Sequence, residues 1–359
     1  MRVLFFPKYT RLGASSRLRT YQYTPYFEEQ GIRCEYSPLF DDQYLQRLYQ
    51  KKSSNKLSIV IAYINRLLRL FTIPKYDLIV IEKELFPYLP AFAEQVLAFF
   101  KFKYVVDYDD AIFHNYDLHP NKLIRSLLEK KIAHVMKGSS LVVAGNTYLR
   151  DYAQKAGASQ ITIIPTVIDT DSYTVKTQEE QDNVTIGWIG SPVTLKYVKN
   201  IVPVLKELSS KYPLKLHIIG GKAGVGFEGH EEVLEWSEAT EAELIRHFDI
   251  GIMPLNDDAW EKGKCGYKLI QYMGCGLPVV GSPVGVNEEI IQDGVNGYKA
   301  ANLVSWQKSL ETLLADKELR EKMGKQGRAL VEERYSYKVA KTIWLQCLLG
   351  VQNSKDAHL

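Results

Sequence analysis

The feature that most constrains the fold of this chain is a regular alternation of short apolar runs with longer segments of helical periodicity. In the first half, runs such as MRVLFFPKY, YDLIVIEKE, FKYVVDYDD and SLVVAG are separated by amphipathic segments. Strands that alternate with helices in this way indicate a parallel sheet with helices on both faces. The first half therefore predicts an α/β domain.

The alternation stops at a polar stretch, residues 171–183, and then restarts with VTIGWIGS, LKLHIIGG, DIGIMPL and LPVVGSPVG. A chain of 359 residues with 46% apolar composition can build two such domains, each with its own core. We predict one domain over residues 1–170, a linker over 171–183, a second domain over 184–335, and a C-terminal helix in 336–359 that crosses back to the first domain. Parallel sheets bind ligands at the carboxyl ends of their strands, so we expect the site in a cleft between facing domains.

Charge and cysteine content exclude several classes of function. The net charge of +3 is too small for a nucleic-acid-binding protein, so we expect no nucleic-acid partner. The four cysteines are scattered and form neither a metal-binding pair nor a disulfide framework, which favours a reducing cytoplasm. No run of 18 uncharged apolar residues occurs, so we expect no membrane-spanning segment.

The most informative segment is GKCGYKLIQYMGCGLPVVGSPVGVNEEII, Gly263–Ile291. Glycines at its start allow a tight turn, and a helix then begins near Lys268 and ends ahead of Pro278. Lys264 and Lys268 lie at the amino end of this helix, where the dipole opposes cations by ~0.3–1 kcal/mol each. A bound diphosphate would reverse that sign. The alternative is a crossover helix whose lysines reach solvent.

This segment resembles the donor-binding motif of the retaining glycosyltransferases of family 4, which have the GT-B fold of two Rossmann-like domains facing across a cleft. The stretch QYMGCGLPVV, which begins at Gln271, matches the second half of that motif. The two acidic residues of the motif, which contact the ribose and hexose of the donor, are replaced by Gly263 and Gln271. Gln271 can still hydrogen-bond a ribose hydroxyl, and the Gly-Lys-Cys-x-aromatic-Lys form is similar to that of a bacterial subgroup.

The resemblance implies transfer of a sugar from a UDP- or GDP-sugar to a glycan or lipid-linked acceptor, as in the synthesis of bacterial surface polysaccharide, lipopolysaccharide or other glycoconjugates. It implies no metal and no other cofactor. Lys196 and Lys268 would neutralise the leaving diphosphate, and Asp109 and Asp110 would lie beside the acceptor. The donor would be bound by Gly13, Arg17, Lys264, Gly266, Tyr267, Lys268, Leu269, Gln271 and Glu289. The alternatives are a sugar-nucleotide 2-epimerase of the same fold and a non-catalytic nucleotide-sugar-binding protein.

The loop RLGASSRLR, residues 11–19, resembles the first glycine-containing loop of these enzymes. Gly13 allows close approach of a ligand, and Arg17 can bind a phosphate through two hydrogen bonds. The alternative is an ordinary helix start that Ser15 or Ser16 caps. For Lys196, the alternative is a solvated lysine at the start of a helix.

Three carboxylates, Asp107, Asp109 and Asp110, follow one another closely at the end of a predicted strand. Their mutual repulsion predicts a raised pKa at one of them and a role in proton transfer. A metal site and a helix-capping cluster are the alternatives. Glu84, at the end of another strand, is a weaker candidate for contact with the acceptor.

Residues 46–71 contain six basic residues and no acidic one, interleaved with leucine and isoleucine. The basic residues are Arg47, Lys51, Lys52, Lys56, Arg66 and Arg69. A basic amphipathic helix is typical of a segment that binds an anionic membrane surface. We therefore predict peripheral attachment to the inner face of the cell membrane. The alternative is a helix packed on the sheet with a solvated basic face.

Overall fold

The structure of the chain is a computed structural model that describes residues 1–50, 52, 55–176 and 183–354. These residues pack as two compact units. The first unit is formed by Met1–Thr166 and the chain from Lys341 onward, and the second by Val167–Ala340. Each unit contains one six-stranded parallel sheet, which confirms the prediction of two α/β arrays.

The two sheets have different strand orders. In the first unit the order is β2-β1-β3-β4-β5-β6, and in the second it is β12-β11-β10-β7-β8-β9. The strands are β1 Arg2–Phe6, β2 Arg33–Tyr36, β3 Leu78–Glu82, β4 Tyr104–Tyr108, β5 Leu141–Ala144, β6 Ile161–Ile163, β7 Val184–Ile189, β8 Leu214–Ile219, β9 Glu231–Leu234, β10 Ile250–Met253, β11 Val279–Gly281 and β12 Gly297–Lys299. The direction of winding reverses between β1 and β3 in one sheet and between β7 and β10 in the other, and such points are where open α/β sheets bind ligands.

Helices connect the strands and cover the sheets, so that central strands such as β3, β4 and β5 are buried on both faces and read as continuous apolar runs. The helices are α1 Ala14–Arg19, α2 Thr24–Glu29, α3 Asp42–Tyr49, α4 Lys56–Leu70, α5 Phe92–Phe99, α6 His114–Asp117, α7 Lys122–Leu128, α8 Lys131–Gly138, α9 Thr147–Ala156, α10 Leu195–Lys199, α11 Val202–Ser209, α12 Glu241–Arg246, α13 Ala259–Lys262, α14 Tyr267–Gly274, α15 Asn287–Ile290, α16 Leu303–Ala315, α17 Lys317–Arg334 and α18 Tyr337–Asn353. None of the helices in the described ranges is long and apolar enough to cross a membrane.

The polar stretch predicted as a linker does not consist of solvated chain alone. Tyr173 lies within it and is buried in the second unit, where its hydroxyl donates a hydrogen bond to Glu241. Residues 177–182 of the stretch lie outside the described residues. A sequence pattern without apolar periodicity does not reveal a single buried anchor of this kind.

The prediction of one basic amphipathic helix over residues 46–71 is wrong in two respects. The segment contains the end of α3 and, separately, α4. The Arg66 side chain is buried and donates to the carbonyl oxygens of Pro7 and Ser37, each at 2.9 Å. Arg69 forms an ion pair of 2.9 Å with Glu35.

These two arginines therefore face the body of the first unit and do not form a solvated basic face. Lys51, another basic residue of that prediction, lies outside the described residues, whereas Arg47, Lys52 and Lys56 are exposed. Burial lowers the pKa of Arg66 to about 9, which is still high enough to keep the guanidinium charged at neutral pH.

Candidate functional site

Glycines occupy the carboxyl ends of the central strands in the second unit. Gly190 follows β7, and a Cβ atom added there would lie 2.6 Å from the Trp188 ring and 2.9 Å from Lys268 Cε. Gly220 follows β8 with a φ of +78°, and its Cβ would lie 2.7 Å from the Gly190 carbonyl oxygen. Only glycine fits at these two positions, so the backbone itself forms the surface at this edge.

Helix α14 begins beside that glycine edge. Its N-cap residue, Gly266, has a left-handed conformation with a φ of 65°, and the first turn contains no acidic residue. Lys268 lies in the first turn, with its ammonium 5.8 Å from the centre of the Trp188 ring. Lys264 lies just ahead of the cap, and both lysines are half-buried. The positive end of the helix and two cations are thus combined at one place, which favours an anion such as a phosphate group.

The other predicted donor-site residues of this unit are placed as follows. Leu269 is fully buried, so it can contact a ligand through its backbone alone. Tyr267 is half-buried in the first turn of α14, and Glu289 is exposed on α15. Lys196 is exposed on α10, and its ammonium lies 4.9 Å from the centre of the Tyr197 ring. The structure brings Lys264, Gly266 and Lys268 together at the start of α14, and the roles of Lys196 and Glu289 stay predictions.

Gln271 belongs to a buried hydrogen-bond network that the sequence does not reveal. Its Nε2 donates to the Tyr173 hydroxyl at 2.8 Å, and that hydroxyl donates to Glu241 Oε1 at 2.6 Å. Trp236 Nε1 donates to the other oxygen of Glu241 at 2.7 Å. The expectation that Gln271 offers its amide to a ribose hydroxyl is therefore corrected, since Gln271 is 2% exposed and its Nε2 donates within the protein.

The network gives a physical reason for glutamine at position 271. The Tyr173 hydroxyl has one proton, and it gives this proton to Glu241. Its remaining hydrogen bond must come from a donor, and a carboxylate is only an acceptor. A glutamate at position 271 would leave the buried hydroxyl without a donor and would add a second negative charge beside Glu241. The amide is therefore the side chain of this size that completes the network.

In the first unit, the loop after β1 holds a buried carboxylate at the end of β3. Glu82 accepts hydrogen bonds from the Ser16 hydroxyl at 2.6 Å and from the Lys8 amide at 3.0 Å. Burial raises the pKa of Glu82. Gly13 is required for close approach within the loop, since an added Cβ would lie 2.6 Å from Tyr9 Cβ. The serines are used to fix the loop, and Arg17 is buried within it at 5% exposure.

The three aspartates at the end of β4 are neutralised by cations. Arg19 binds Asp107 through two hydrogen bonds, one of 2.9 Å from Nε and one from Nη2. The Lys83 ammonium lies 2.8 Å from Asp109 and 3.7 Å from Asp110. Burial on its own would lower the pKa of Arg19, but the Asp107 carboxylate outweighs burial and raises that pKa.

The expectation of a raised carboxyl pKa in the cluster is confirmed at Asp107, where burial outweighs the Arg19 guanidinium and raises the pKa. Asp109 behaves in the opposite way. Burial alone would raise the pKa of Asp109, but the Lys83 ammonium and the Arg19 guanidinium overcome it, and the pKa falls to about 2. Asp109 therefore stays ionised near neutral pH and does not supply a proton. Within the described ranges, no three His, Cys, Asp or Glu side chains are grouped so as to hold a metal ion.

Glu84 is also held within the first unit. It is buried, accepts hydrogen bonds of 2.8 Å from the Tyr116 hydroxyl, and forms an ion pair with Lys131. His114 contacts Asp117 through Nδ1 and Tyr148 through Nε2, each at 2.9 Å. The carboxylate of Glu84 is thus part of the framework, and the expectation that it faces an acceptor is not supported by these contacts.

A comparison with known families matches most of the second unit. Residues 183–316 match the sequence model of a family described as "Glycosyl transferases group 1". Over 101 residues, the chain is 34% identical to N-acetyl-alpha-D-glucosaminyl L-malate synthase of Bacillus anthracis. That alignment spans 26% of this chain and 26% of the relative, about a quarter of each.

Solved structures resemble the chain over nearly its whole length. Alr3699/HepE of Anabaena, in complex with UDP, has a TM-score of 0.72 and 16% identity, covering 98% of this chain and 100% of its own. Sucrose-phosphate synthase of Thermosynechococcus elongatus has a TM-score of 0.73 and 11% identity, covering 99% of this chain and 100% of its own. At these identities the likeness shows the fold alone. The chain therefore has the GT-B fold, and its second unit matches the family of group 1 glycosyl transferases.

Proposed function

We propose that the protein is a glycosyltransferase that moves a sugar from a UDP- or GDP-sugar to a glycan or lipid-linked acceptor. The observation that carries this proposal is the start of α14, where a glycine cap, Lys264 and Lys268 lie beside the glycine edge of the sheet. The match of residues 183–316 to group 1 glycosyl transferases supports it. The UDP bound to Alr3699/HepE supports a uridine nucleotide as the first to test.

In the proposed reaction, the bond between the anomeric carbon and the diphosphate oxygen breaks, and a bond to the acceptor oxygen forms. The leaving diphosphate gains negative charge as this happens. Cations and helix amides that are already in place stabilise that charge without reorganisation, and Lys268, Lys264 and the amino end of α14 would have this role, with Lys196 as a further candidate. No metal is required in this scheme.

Asp109 and Asp110 are proposed to orient the acceptor hydroxyl. With a pKa of about 2, Asp109 is ionised and can accept a hydrogen bond from that hydroxyl. Gly13 and Arg17 are proposed to contact the donor from the first unit. Retention of anomeric configuration, with attack from the face that the diphosphate leaves, follows from the resemblance to family 4. The biological setting we propose is the synthesis of bacterial surface polysaccharide or glycoconjugate at the cytoplasmic face of the membrane.

The direct test is to incubate the purified protein with UDP- and GDP-sugars, a lipid-linked or glycan acceptor and EDTA, and to analyse the products by mass spectrometry. Glycosylated acceptor and free nucleoside diphosphate are expected. Donor incubated alone distinguishes the other candidates. An epimerised sugar nucleotide would identify a 2-epimerase, and an unchanged donor together with tight nucleotide binding would identify a binding protein.

A further inference from the structure

The outer face of α4 is apolar over its whole length. It includes Leu57, Val60, Ile61, Ile64, Leu68 and Phe71, whose side chains are 47–77% exposed. At about 100° per residue these positions fall within an arc of about 120°. A surface helix of a soluble domain normally turns such an arc toward the core.

The inner face of the same helix carries its polar anchors. Tyr63 donates to the Pro87 carbonyl oxygen at 2.8 Å, and Arg66 lies with its guanidinium 4.9 Å from the centre of the Phe6 ring. With Arg69 paired to Glu35, the orientation of the helix is fixed by several specific contacts. The inner-face contacts therefore keep the apolar arc exposed, because rotating the helix would break them and leave the buried Arg66 without its acceptors.

A second exposed apolar face lies on the neighbouring helix, α5. Phe99 is 81% exposed and Phe100 is 64% exposed, and Val96 precedes them one turn earlier at 50%. The crossovers through α4 and α5 progress in the same direction across the sheet, so right-handed connections place both helices on one face. Both helices end near the amino ends of β3 and β4, which pair in parallel.

Phe86, in the loop between β3 and α5, links the two helices. The Tyr63 ring on α4 lies 5.6 Å from the Phe86 ring, which stacks at 6.0 Å on Phe92 at the start of α5. The outer faces of α4 and α5 thus lie on the same side of the sheet, and together we call them the α4–α5 surface. Large exposed apolar patches on soluble proteins mark sites of interaction with a protein or a membrane.

Charge indicates which of these partners covers the surface. Residues 55–76 contain no acidic residue, and the only one in residues 86–103 is Glu94, which is buried. Exposed lysines stand at the helix ends, with Lys56 as the first residue of α4, Lys75 after that helix and Lys101 after α5. Two copies of such a surface would place like charges together. An apolar face with cations and phenylalanines at its margin instead complements the interface of an anionic bilayer.

We infer that the α4–α5 surface inserts its apolar side chains into the interface of an anionic lipid bilayer. The attachment depends mainly on apolar burial, and the peripheral lysines add a smaller preference for anionic lipid. This inference deepens the proposed function, on which it rests for its purpose, because a lipid-linked acceptor is presented at that interface. It differs from attachment through a basic helix in predicting binding that resists salt, because screening weakens charge contacts and leaves apolar burial intact.

Flotation of the full chain with phosphatidylcholine vesicles, with and without 30% phosphatidylglycerol, tests the inference at 0.1 M and 0.5 M NaCl. The wild type is expected to float with the anionic vesicles. Its partition coefficient is expected to fall by less than about fivefold between 0.1 M and 0.5 M NaCl. The partition coefficient of the variant Ile64→Ser/Leu68→Ser/Phe71→Ser is expected to fall about 1,000-fold, at roughly tenfold for each of the three side chains removed from the bilayer. Changing Lys56, Lys75 and Lys101 to Gln is expected to cost less than about tenfold, and only with anionic vesicles.

A matched control removes exposed apolar residues elsewhere. Leu303 and Val304 on α16 are 48% and 76% exposed, and Leu303→Ser/Val304→Ser is expected to float like the wild type. The inference is overturned if the wild type does not float, if high salt releases it completely, or if the triple serine variant binds like the wild type. It is also overturned if that variant abolishes a solution dimer instead.

Folding and sugar transfer are measured in assays separate from flotation. Each variant is checked by its thermal unfolding and by its affinity for UDP, and a variant that keeps both is folded. A protein that floats but transfers no sugar contradicts the proposed function and leaves the inference standing. A protein that transfers sugar to a water-soluble acceptor but does not float contradicts the inference and leaves the function standing.

Discussion

The carboxyl edges of the two sheets differ in how they handle charge. In the first unit this edge is rich in buried charged side chains, and Arg19, Lys83, Asp107 and Asp109 are joined in ion pairs. In the second unit the corresponding edge is formed by glycine backbone and by the start of α14, where lysines stand beside the positive end of a helix. The first edge holds the larger set of buried charged side chains, yet the second edge is the one that we propose to bind an anionic ligand.

The comparison teaches that the role of a charged residue depends less on how many charges surround it than on whether an opposite charge already neutralises it. A carboxylate that is buried against a lysine is part of the framework, and removing either partner leaves a charge in a medium of low dielectric constant. Cations at a helix amino end have the opposite character, since they raise the energy of the empty protein and lower that of the complex. Substitutions of Arg19 or Lys83 at the first edge should therefore act on stability, and substitutions at the start of α14 should act on binding and catalysis.

The largest expected effect is on the framework of the first unit. Lys83→Met removes the cation that faces buried Asp109 and should lower the free energy of unfolding by about 3–5 kcal/mol. Urea denaturation measures this loss, and Lys155→Met, an exposed lysine on α9, serves as the control, with a change below about 0.5 kcal/mol. The affinity of the folded variant for UDP should stay unchanged. Similar losses for the two lysines would show that Lys83 is not a framework residue.

Next in size is the effect of Lys268→Ala on catalysis. The loss of one cation beside the leaving diphosphate should lower kcat/KM by about 10²-fold, or about 2.7 kcal/mol of transition-state stabilisation. Steady-state kinetics with a saturating acceptor measure it, and Lys199→Ala, an exposed lysine on α10, is the matched control. Activity within twofold of the wild type would place the diphosphate elsewhere.

The pH dependence of stability gives a third comparison. The pKa of Asp109 in the folded protein is about 2, below the value near 3.9 of an unfolded chain. A depressed pKa stabilises the fold at pH values above the unfolded pKa, and this contribution, about 2.6 kcal/mol, is lost as the pH falls from about 4 through 2. Urea denaturation between pH 5 and pH 2.5 should show a smaller decrease in Asp109→Asn than in the wild type. Equal decreases would mean that the Lys83 pair does not depress this pKa.

The smallest effect concerns the network in the second unit. Gln271→Glu restores the acidic residue of the family 4 motif but removes the donor to the Tyr173 hydroxyl, and should cost about 1 kcal/mol of stability. Gln292→Glu, at an exposed position, is the control and should be neutral within about 0.5 kcal/mol. A gain in stability for Gln271→Glu, measured by thermal unfolding, would contradict the assignment of donor and acceptor in this network.

The strand and helix alternation and the start of α14 could be predicted from sequence because they depend on local periodicity and on glycine and proline signals. Helix α14 begins at Tyr267, one residue before the predicted start. The ion pair between Lys83 and Asp109 could not be predicted in this way. It depends on the pairing of Glu82 with Asp107 between β3 and β4, which brings the residues that follow the two strands together.

The same limit explains two of the interpretations that the structure corrects. The network of Gln271 joins residues from three distant segments, and no local pattern connects Tyr173 with Glu241. In α4, the amphipathic period is visible in the sequence, but the period alone does not say which face points inward. Arginine is normally exposed, so the buried position of Arg66 reverses the orientation that composition favours.

The measurement that tests the central claim most directly is calorimetric titration of UDP and uridine, and of GDP and guanosine, into the wild type and Lys268→Ala. The difference in binding free energy within each pair measures the contribution of the diphosphate group to binding. The wild type should bind one of the two diphosphates about 100-fold more tightly than its nucleoside, and Lys268→Ala should reduce that ratio by about tenfold or more while leaving the nucleoside affinity unchanged. Equal affinities for diphosphate and nucleoside, or a ratio that Lys268→Ala does not change, would contradict a diphosphate site at the start of α14.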